Sequence, residues 1–441
     1  MHLDEHDEPW NNPEKEGERQ EPQEQPNDDQ PATPLPPPQP DEQWQPPSPA
    51  MQQISIAVSR VKEELQKLIV GQEEMLELLM AALFSGGHVL LEGNPGLGKT
   101  ALVRALSQAL GLGQEAVGRI QFTPDLMPAD ITGTLMPSEE DGAGLKFRPG
   151  PIFHELLLAD EINRATPKTQ AAMLEAMAEF QVTVLNEQRR LRKEEWVAGG
   201  RSVLTPFMVM ATQNPIDQDG TFNLPEAQLD RFMFKVRMQM PRAETIGRIL
   251  DKKLQQGAGV CPIAPPADRR VALDNIDRAT RAILSVPLPP SVRAHIINIV
   301  MASNGALDDL TGLSKARMTE IAALAGRVEY PRGPRAAITL GKAVLAWSAV
   351  TLTEPQHAQE IGAETRRALA DVLVPALRHR IRIRHDYAAP GTQMSEADAV
   401  DDFVRRLAVA VAPDLRVGTD AADYHLRFKA DMDAAAARLR V

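Results

Sequence analysis

"HVLLEGNPGLGKT", His88 to Thr100, is a short apolar run that breaks into a glycine-rich turn and ends on a Lys-Thr pair. Gly93, Asn94, Pro95, Gly96, Leu97, Gly98, Lys99 and Thr100 satisfy the spacing G-x-x-x-x-G-K-[ST]. The glycines permit torsions and a close approach that a side chain would block. Successive amides then point inward, and a following helix adds its positive end. Lys99 has the reach for β- and γ-phosphates, and the Thr100 hydroxyl suits a divalent cation. Such a loop must sit between a strand and a helix. "HVLLEG" supplies the strand, and "KTALVRALSQALG" the helix, with Leu102, Leu106, Ala109 and Leu110 inward and Gly111 past its end.

The residues on either side extend the pattern. Upstream, Ile54, Val58, Val61, Leu65 and Leu68 form one apolar helical stripe. "IVGQEEMLELLMAALFSGG" then predicts a turn at Gly71 and a second helix closed by Gly86-Gly87. Downstream, "ELLLADEINRA" is a strand ending in Asp160-Glu161, with both carboxylates free to face the phosphates at its frayed end. Asp160 is suited to hold Mg²⁺ through water and Glu161 to polarise an attacking water. Thr166 and Pro167 are suited to open a helix, with Thr166 as its cap and Met173, Leu174, Met177 and Phe180 as its buried face. A third strand, "FMVMATQNP", ends in Asn214, whose amide can orient water or touch the γ-phosphate. Arg231 falls near a helix end and Arg335 at a helix start; the planar guanidinium matches phosphate oxygens at both places.

Charge is concentrated at one end. The first fifty residues hold 13 Asp+Glu, 2 Lys+Arg and 13 of the 36 prolines, and account for -11 of the net -12 of the 441-residue chain. They bury too little apolar surface to offset ordering and read as a disordered tail. The near-neutral remainder offers no basic patch for nucleic acid. The single cysteine, Cys261, excludes an intramolecular disulfide and fits a reducing cytoplasm. No apolar run is long enough to enter a membrane. His379 and His385 stand far from any Cys or acidic cluster, as solvated basic residues rather than zinc ligands.

This order of motifs resembles the AAA+ ATPases, and most closely the MoxR family. The resemblance rests on "IVGQEE" (69–74), "GHVLLEGNPGLGKT" (87–100), "RIQFTPDLMPADITGT" (119–134), "FRPGPIF" (147–153), "LLLADEINRATPKTQAAMLEAM" (156–177), "ATQNP" (211–215), "GTFNLPEAQLDRFMF" (220–234), "GPRAAITLGKA" (333–343) and "LRHRI" (377–381). It covers roughly residues 53–386. It implies an α/β P-loop core with a parallel sheet, followed by an all-α lid. Gly93 to Thr100 match Walker A, and Asp160 and Glu161 match Walker B. Asn214 matches sensor 1, and Arg335 matches sensor 2. Arg231 matches the arginine finger that reaches a neighbouring subunit's nucleotide; Arg164 is a further candidate for the subunit boundary. Val70 and Gly71 match the segment near the adenine. Also implied are ATP and Mg²⁺, a homo-oligomeric ring (commonly a hexamer), protein clients and a partner with a von Willebrand factor A domain.

The expected organisation is a tail (1–50), the AAA+ core (51–243), the lid (244–390) and a C-terminal helical extension (391–441) that continues the lid or forms an interface. Segment 131–153 reads as a loop-hairpin, where the family has its helix-2 insert. Segment 182–207 reads as one hairpin before sensor 1, longer than is usual for the family, with the basic "RRLRK" as its tip, solvated or turned to a pore or partner. Two other functions share the architecture. One is the ATPase subunit of a magnesium or cobalt chelatase, inserting metal into a tetrapyrrole. The other is a DNA-remodelling AAA+ protein, against which stand the neutral body and the absence of the activator motif "GAFTGA".

Overall fold

The computed structural model describes residues 49–94, 96–137, 145–184, 187–197, 200–214, 221–255, 268–329, 333–351, 361–384, 394–417 and 423–438. The acidic tail as far as residue 48, Pro95, Cys261, His385 and the tip of the 131–153 hairpin lie outside them.

The two opening helices are α1 (Pro49–Leu68) and α2 (Glu73–Ser85). Val58 and Leu65 of the predicted stripe are buried, with Val61 and Leu68 packed at its margin. Ten of the thirteen residues of α2 are buried. The helix stops at Gly86, which takes the left-handed conformation (φ 69°) while its amide donates to Leu83 O.

Strand, loop and helix follow as the opening pattern required: β1 (Val89–Glu92) and α3 (Lys99–Leu110). Then come β2 (Val117–Gln121), the single turn α4 (Pro128–Thr132), the antiparallel hairpin β3 (Gly133–Pro137) with β4 (Leu145–Pro149), β5 (Leu156–Asp160) and α5 (Pro167–Glu179). Thr166 stands at the head of α5 but does not cap it: its hydroxyl is 3.2 Å from that of Thr169. Phe180 is not on the buried helical face either. It is the left-handed residue (φ 55°) that ends the helix.

The segment before sensor 1 departs from the expectation. It holds two hairpins, β6 (Gln181–Val184) with β7 (Glu187–Arg190), and β8 (Glu194–Val197) with β9 (Arg201–Leu204). "RRLRK" is therefore the junction between hairpins rather than a tip. Leu191 is buried there, Arg189 lies 4.0 Å over the Phe147 ring, and Arg192 lies 3.8 Å over Phe180. Cation–π contact and burial of Leu191 hold in place a run that composition alone reads as solvated.

With β10 (Met208–Gln213), α6 (Glu226–Leu229) and β11 (Phe234–Arg237) the sheet is complete: five parallel strands in the order β11-β1-β10-β5-β2. Its residues sort by period two. Val89, Leu91, Leu156, Leu158, Met208 and Met210 join one core with α1, α2 and α3. Leu90, Leu157, Ala159, Val209 and Ala211 face the other way, into a second core with α5. Both faces being covered, the strands read as nearly continuous apolar runs.

The rest is helical: α7 (Ala243–Gln255), α8 (Arg269–Ser285), α9 (Pro290–Ser303), α10 (Met318–Ala325), α11 (Pro334–Thr351), α12 (Ile361–Leu377), α13 (Glu396–Val411) and α14 (Tyr424–Arg438). The first core runs on without a break through α2 into α8, α11 and α12. The last two helices pack onto the others through His295. Its Nε2 donates to Ala408 O (2.8 Å), its Nδ1 accepts from the Tyr424 hydroxyl (3.1 Å), and its ring meets Phe428 edge-on at 4.3 Å. His379 corrects the sequence reading. It is a buried ring whose Nε2 donates to Phe232 O (2.9 Å), and burial, then Arg380, keeps it neutral by pushing its pKa well below the usual histidine value. Among the described residues no single helix is long and apolar enough to cross a membrane.

Candidate active site

The parallel sheet delivers the chemistry to one place, because β1, β5 and β10 all end on the same side. Gly93, Gly96, Gly98, Lys99, Thr100, Arg119, Asp160, Glu161 and Asn214 line one cleft of about 370 Å³. The loop leaves β1 tied to its neighbour, with the Gly93 amide donating to Gln213 O (3.1 Å). Gly96 and Gly98 have φ of 87° and 81°, torsions that only glycine adopts without cost, and Gly98 opens α3. Lys99 Nζ donates to Gly93 O (2.8 Å), so its ammonium already lies across the loop. Burial lowers its pKa, and Asp160 and Glu161 oppose that effect.

The two carboxylates converge by a route the sequence does not show. A strand would send consecutive side chains to opposite faces. Glu161 instead turns into the left-handed region (φ 57°, ψ 49°), a strained conformation for a glutamate. Thr212 on β10 holds that turn from both sides. Its hydroxyl accepts from Glu161 N (2.9 Å) and donates to Asp160 Oδ1 (2.6 Å). Asp160 Oδ2 accepts from Arg119 (2.9 Å), and Glu161 Oε2 accepts from Gln121 (3.1 Å). Arg164, with much of its side chain exposed, has its Nε 3.0 Å from Glu161 Oε2. Asn214 lines the cleft, and its carbonyl lies 3.4 Å from Asn163 Nδ2. Thr100 and Asp160 bring a hydroxyl and a carboxylate to one cavity, a pair of oxygen donors that fits Mg²⁺.

Other predicted residues stand apart. Arg231 and Arg335 do not line the cleft. Arg335 Nη1 is 3.6 Å from Asp230 Oδ2, and more than half its side chain is exposed. Arg231 follows α6 and, among the described residues, its side chain enters no ion pair. Val70 is half-buried, and Gly71 packs beside α7, where a Cβ on it would come within 2.2 Å of Thr245 Cγ2. Leu97 O accepts from Gln72 (3.4 Å), and Asn94 is exposed. Sequence reasoning missed Arg119, Gln121 and Thr212. The available signal was alternation: in "GRIQ" the buried Gly118 and Ile120 leave Arg119 and Gln121 on the polar face of β2.

Residues 88–234 match the family model described as the ATPase family associated with various cellular activities (AAA). The chain is 40% identical over 243 residues to YeaC of Bacillus subtilis, which is 55% of this chain and 69% of that protein. It is 32% identical over 328 residues to the chaperone MoxR1 of Mycobacterium tuberculosis, 74% of this chain and 76% of that one. A crystal structure assigned as an ATPase from Cytophaga hutchinsonii superposes with a TM-score of 0.61 at 28% identity, covering 81% of this chain and 96% of its own. Sequence kinship along most of the length of MoxR1, and a cleft that gathers the nucleotide motifs in one place, lead to one conclusion: the chain belongs to the MoxR family of AAA+ ATPases.

Proposed function

We propose that this ATPase drives chaperone-like remodelling or maturation of protein clients, working as a ring of identical subunits, commonly six, with a von Willebrand factor A domain partner. The reading is carried by the way the candidate residues divide between the cleft and its surroundings. Lys99, Thr100, Asp160, Glu161 and Asn214 share the cleft, whereas Arg231 sits outside it with no ion-pair partner among the described residues. A cationic group placed outside its own cleft fits a neighbour's. The naming of the Mycobacterium tuberculosis relative as a chaperone supports the client class.

In the proposed reaction the loop amides and Lys99 hold the β- and γ-phosphates of ATP, while Thr100 and Asp160 hold Mg²⁺. The cation, when bound, offsets negative charge on the phosphate oxygens. Glu161 accepts a proton from water as the water oxygen bonds to the γ-phosphorus and the bond to the bridging oxygen breaks, giving ADP and phosphate. Asn214 orients that water. Arg231 of the adjoining subunit meets the charge that develops, and Arg335 approaches from its own chain. Residues 51–243 form the core of this machine in our reading, residues 244–390 its lid and residues 391–441 an extension of the lid. Affinity capture with Glu161→Gln tests the proposal: the variant binds ATP without turning it over and retains ring, partner and client. Capture of a tetrapyrrole-binding subunit would replace the chaperone reading with the chelatase one.

A further inference from the structure

Arg119 belongs to no phosphate-loop pattern, yet its guanidinium enters the cleft and donates to both Asp160 Oδ2 and Gln121 Oε1 at 2.9 Å. We propose that Arg119 is a resident counter-charge for Asp160 that sets how much divalent cation the site requires, as a positioning residue and not a phosphate contact. The inference rests on the assignment of Thr100 and Asp160 as the Mg²⁺ ligands.

Topology gives the first argument. In the order β11-β1-β10-β5-β2, Arg119 stands on the edge strand, and Asp160 lies between it and the loop that follows β1. Neighbouring strands are about 4.8 Å apart, so three steps separate β2 from β1 by about 14 Å. Arg119 therefore reaches Asp160 from the side away from Lys99, which already lies across the loop.

Satisfaction of the carboxylate gives the second. Thr212 occupies Oδ1 and Arg119 occupies Oδ2, so both oxygens of Asp160 have protein donors. A cation approaching through water has to share or displace the Arg119 contact. Thr212 cannot be given up as easily, because the same hydroxyl holds the left-handed turn at Glu161. Arg119 can move: about half of its side chain is exposed (52%), and Gln121 offers it a second hold on the same face of β2.

Electrostatics gives the third. Lys99, Arg119 and Arg164 set three positive charges against the two carboxylates Asp160 and Glu161. A site so balanced attracts a polyanion and repels a bare divalent ion. Removing Arg119 brings the count to two against two and takes away the net repulsion of a divalent ion. It leaves the loop amides and Lys99, which hold the phosphates, as they were.

The test is a Mg²⁺ titration of the full-length chain, followed by binding of a fluorescent ADP analogue, which is not turned over. For Arg119→Gln the Mg²⁺ concentration at half-effect falls about fivefold, the scale of a partly exposed ion pair, while affinity in EDTA stays within about twofold. Arg119→Lys, which keeps the charge, moves the midpoint less. A glutamine variant with the wild-type midpoint overturns the proposal. So does one that loses affinity equally in EDTA, since the guanidinium then acts on the phosphates. Wild-type affinity indifferent to Mg²⁺ would overturn the metal assignment of Thr100 and Asp160 and this inference with it. A wild type that responds to Mg²⁺ and an Arg119→Gln that responds identically overturns this inference alone.

Discussion

Arg380 and Asp230 form a clamp beneath the proposed finger. Arg380 Nε donates to Asp230 Oδ1 at 2.7 Å, and its terminal nitrogens reach Asp230 O (3.0 Å), Phe232 O (2.7 Å) and Ala376 O (2.6 Å). The Arg380 side chain is 1% exposed. The backbone on both sides of Arg231 is thus held by a residue from beyond α12. Arg380→Met takes a buried donor from those carbonyls, leaving Phe232 O to His379 and the Asp230 carboxylate to the 3.6 Å contact with Arg335, and should destabilise the fold by about 3 kcal/mol. Denaturant unfolding of the two proteins measures it.

Among the described residues the Arg231 side chain enters no ion pair, so Arg231→Ala should change stability by no more than about 0.5 kcal/mol. Turnover should fall on the order of 10³-fold if the guanidinium completes a neighbour's pocket. Mixing decides between a role within the subunit and one across the boundary. Lys99→Ala supplies an intact finger and Arg231→Ala an intact pocket, so mixed rings should hydrolyse ATP where neither protein does alone. Mixtures as inactive as their components would place Arg231 outside any shared site.

Glu161 separates stability from activity. Its left-handed backbone costs about 1–2 kcal/mol in a residue with a Cβ. Glu161→Gly should therefore gain about 1 kcal/mol in urea unfolding while losing the proton acceptor, with turnover lower by on the order of 10²–10⁴. Glu161→Gln keeps the strain and loses the same activity.

Gly71 has φ 76° as well as Thr245 against it. Gly71→Ala should destabilise by about 2 kcal/mol, from the torsion and the clash together. Adding Thr245→Ala relieves the clash but not the torsion, so the double variant should recover only part of the loss. Equal melting temperatures for the single variant and the wild type would mean that the turn before α2 is free to rearrange.

Acid sensitivity has a defined source. Burial pushes His295 down to about 3 and His88 to about 4, whereas both titrate near 6.5 when unfolded. Above pH 6.5 neither ring is charged in either state and nothing is lost. As pH falls below 6.5 the unfolded chain takes up protons that the fold refuses, and each ring costs about 1.4 kcal/mol per pH unit. Asp371 works in the opposite sense. Burial raises it to about 6, so its contribution is full below the unfolded value near 3.8 and is lost as pH rises through 6. His295→Gln should flatten stability between pH 6.5 and 4.5, and Asp371→Asn should remove a fall between pH 4 and 6. Urea midpoints across that range report both.

The sheet and the phosphate loop were legible because their signals are local. "HVLLEGNPGLGKT" carries strand, turn and helix within thirteen residues, and the apolar runs at Leu156 and Met208 show that both faces of the sheet are covered. What failed needed partners distant in sequence. Arg119, Gln121 and Thr212 meet Asp160 and Glu161 across 40 to 52 positions, and no spacing rule links them. "RRLRK" looked solvated because charge is visible in a sequence, whereas the rings of Phe147 and Phe180 beneath Arg189 and Arg192 are not. His379 follows the same rule: its partner, Phe232 O, lies 147 positions away in sequence, and the burial around it comes from elements no spacing rule links.

Helix α2 has almost no surface of its own. It is pressed between the sheet and α11, and its side chains belong to a core that both share. A fragment ending at β11 would bare this helix to water and should precipitate when expressed alone.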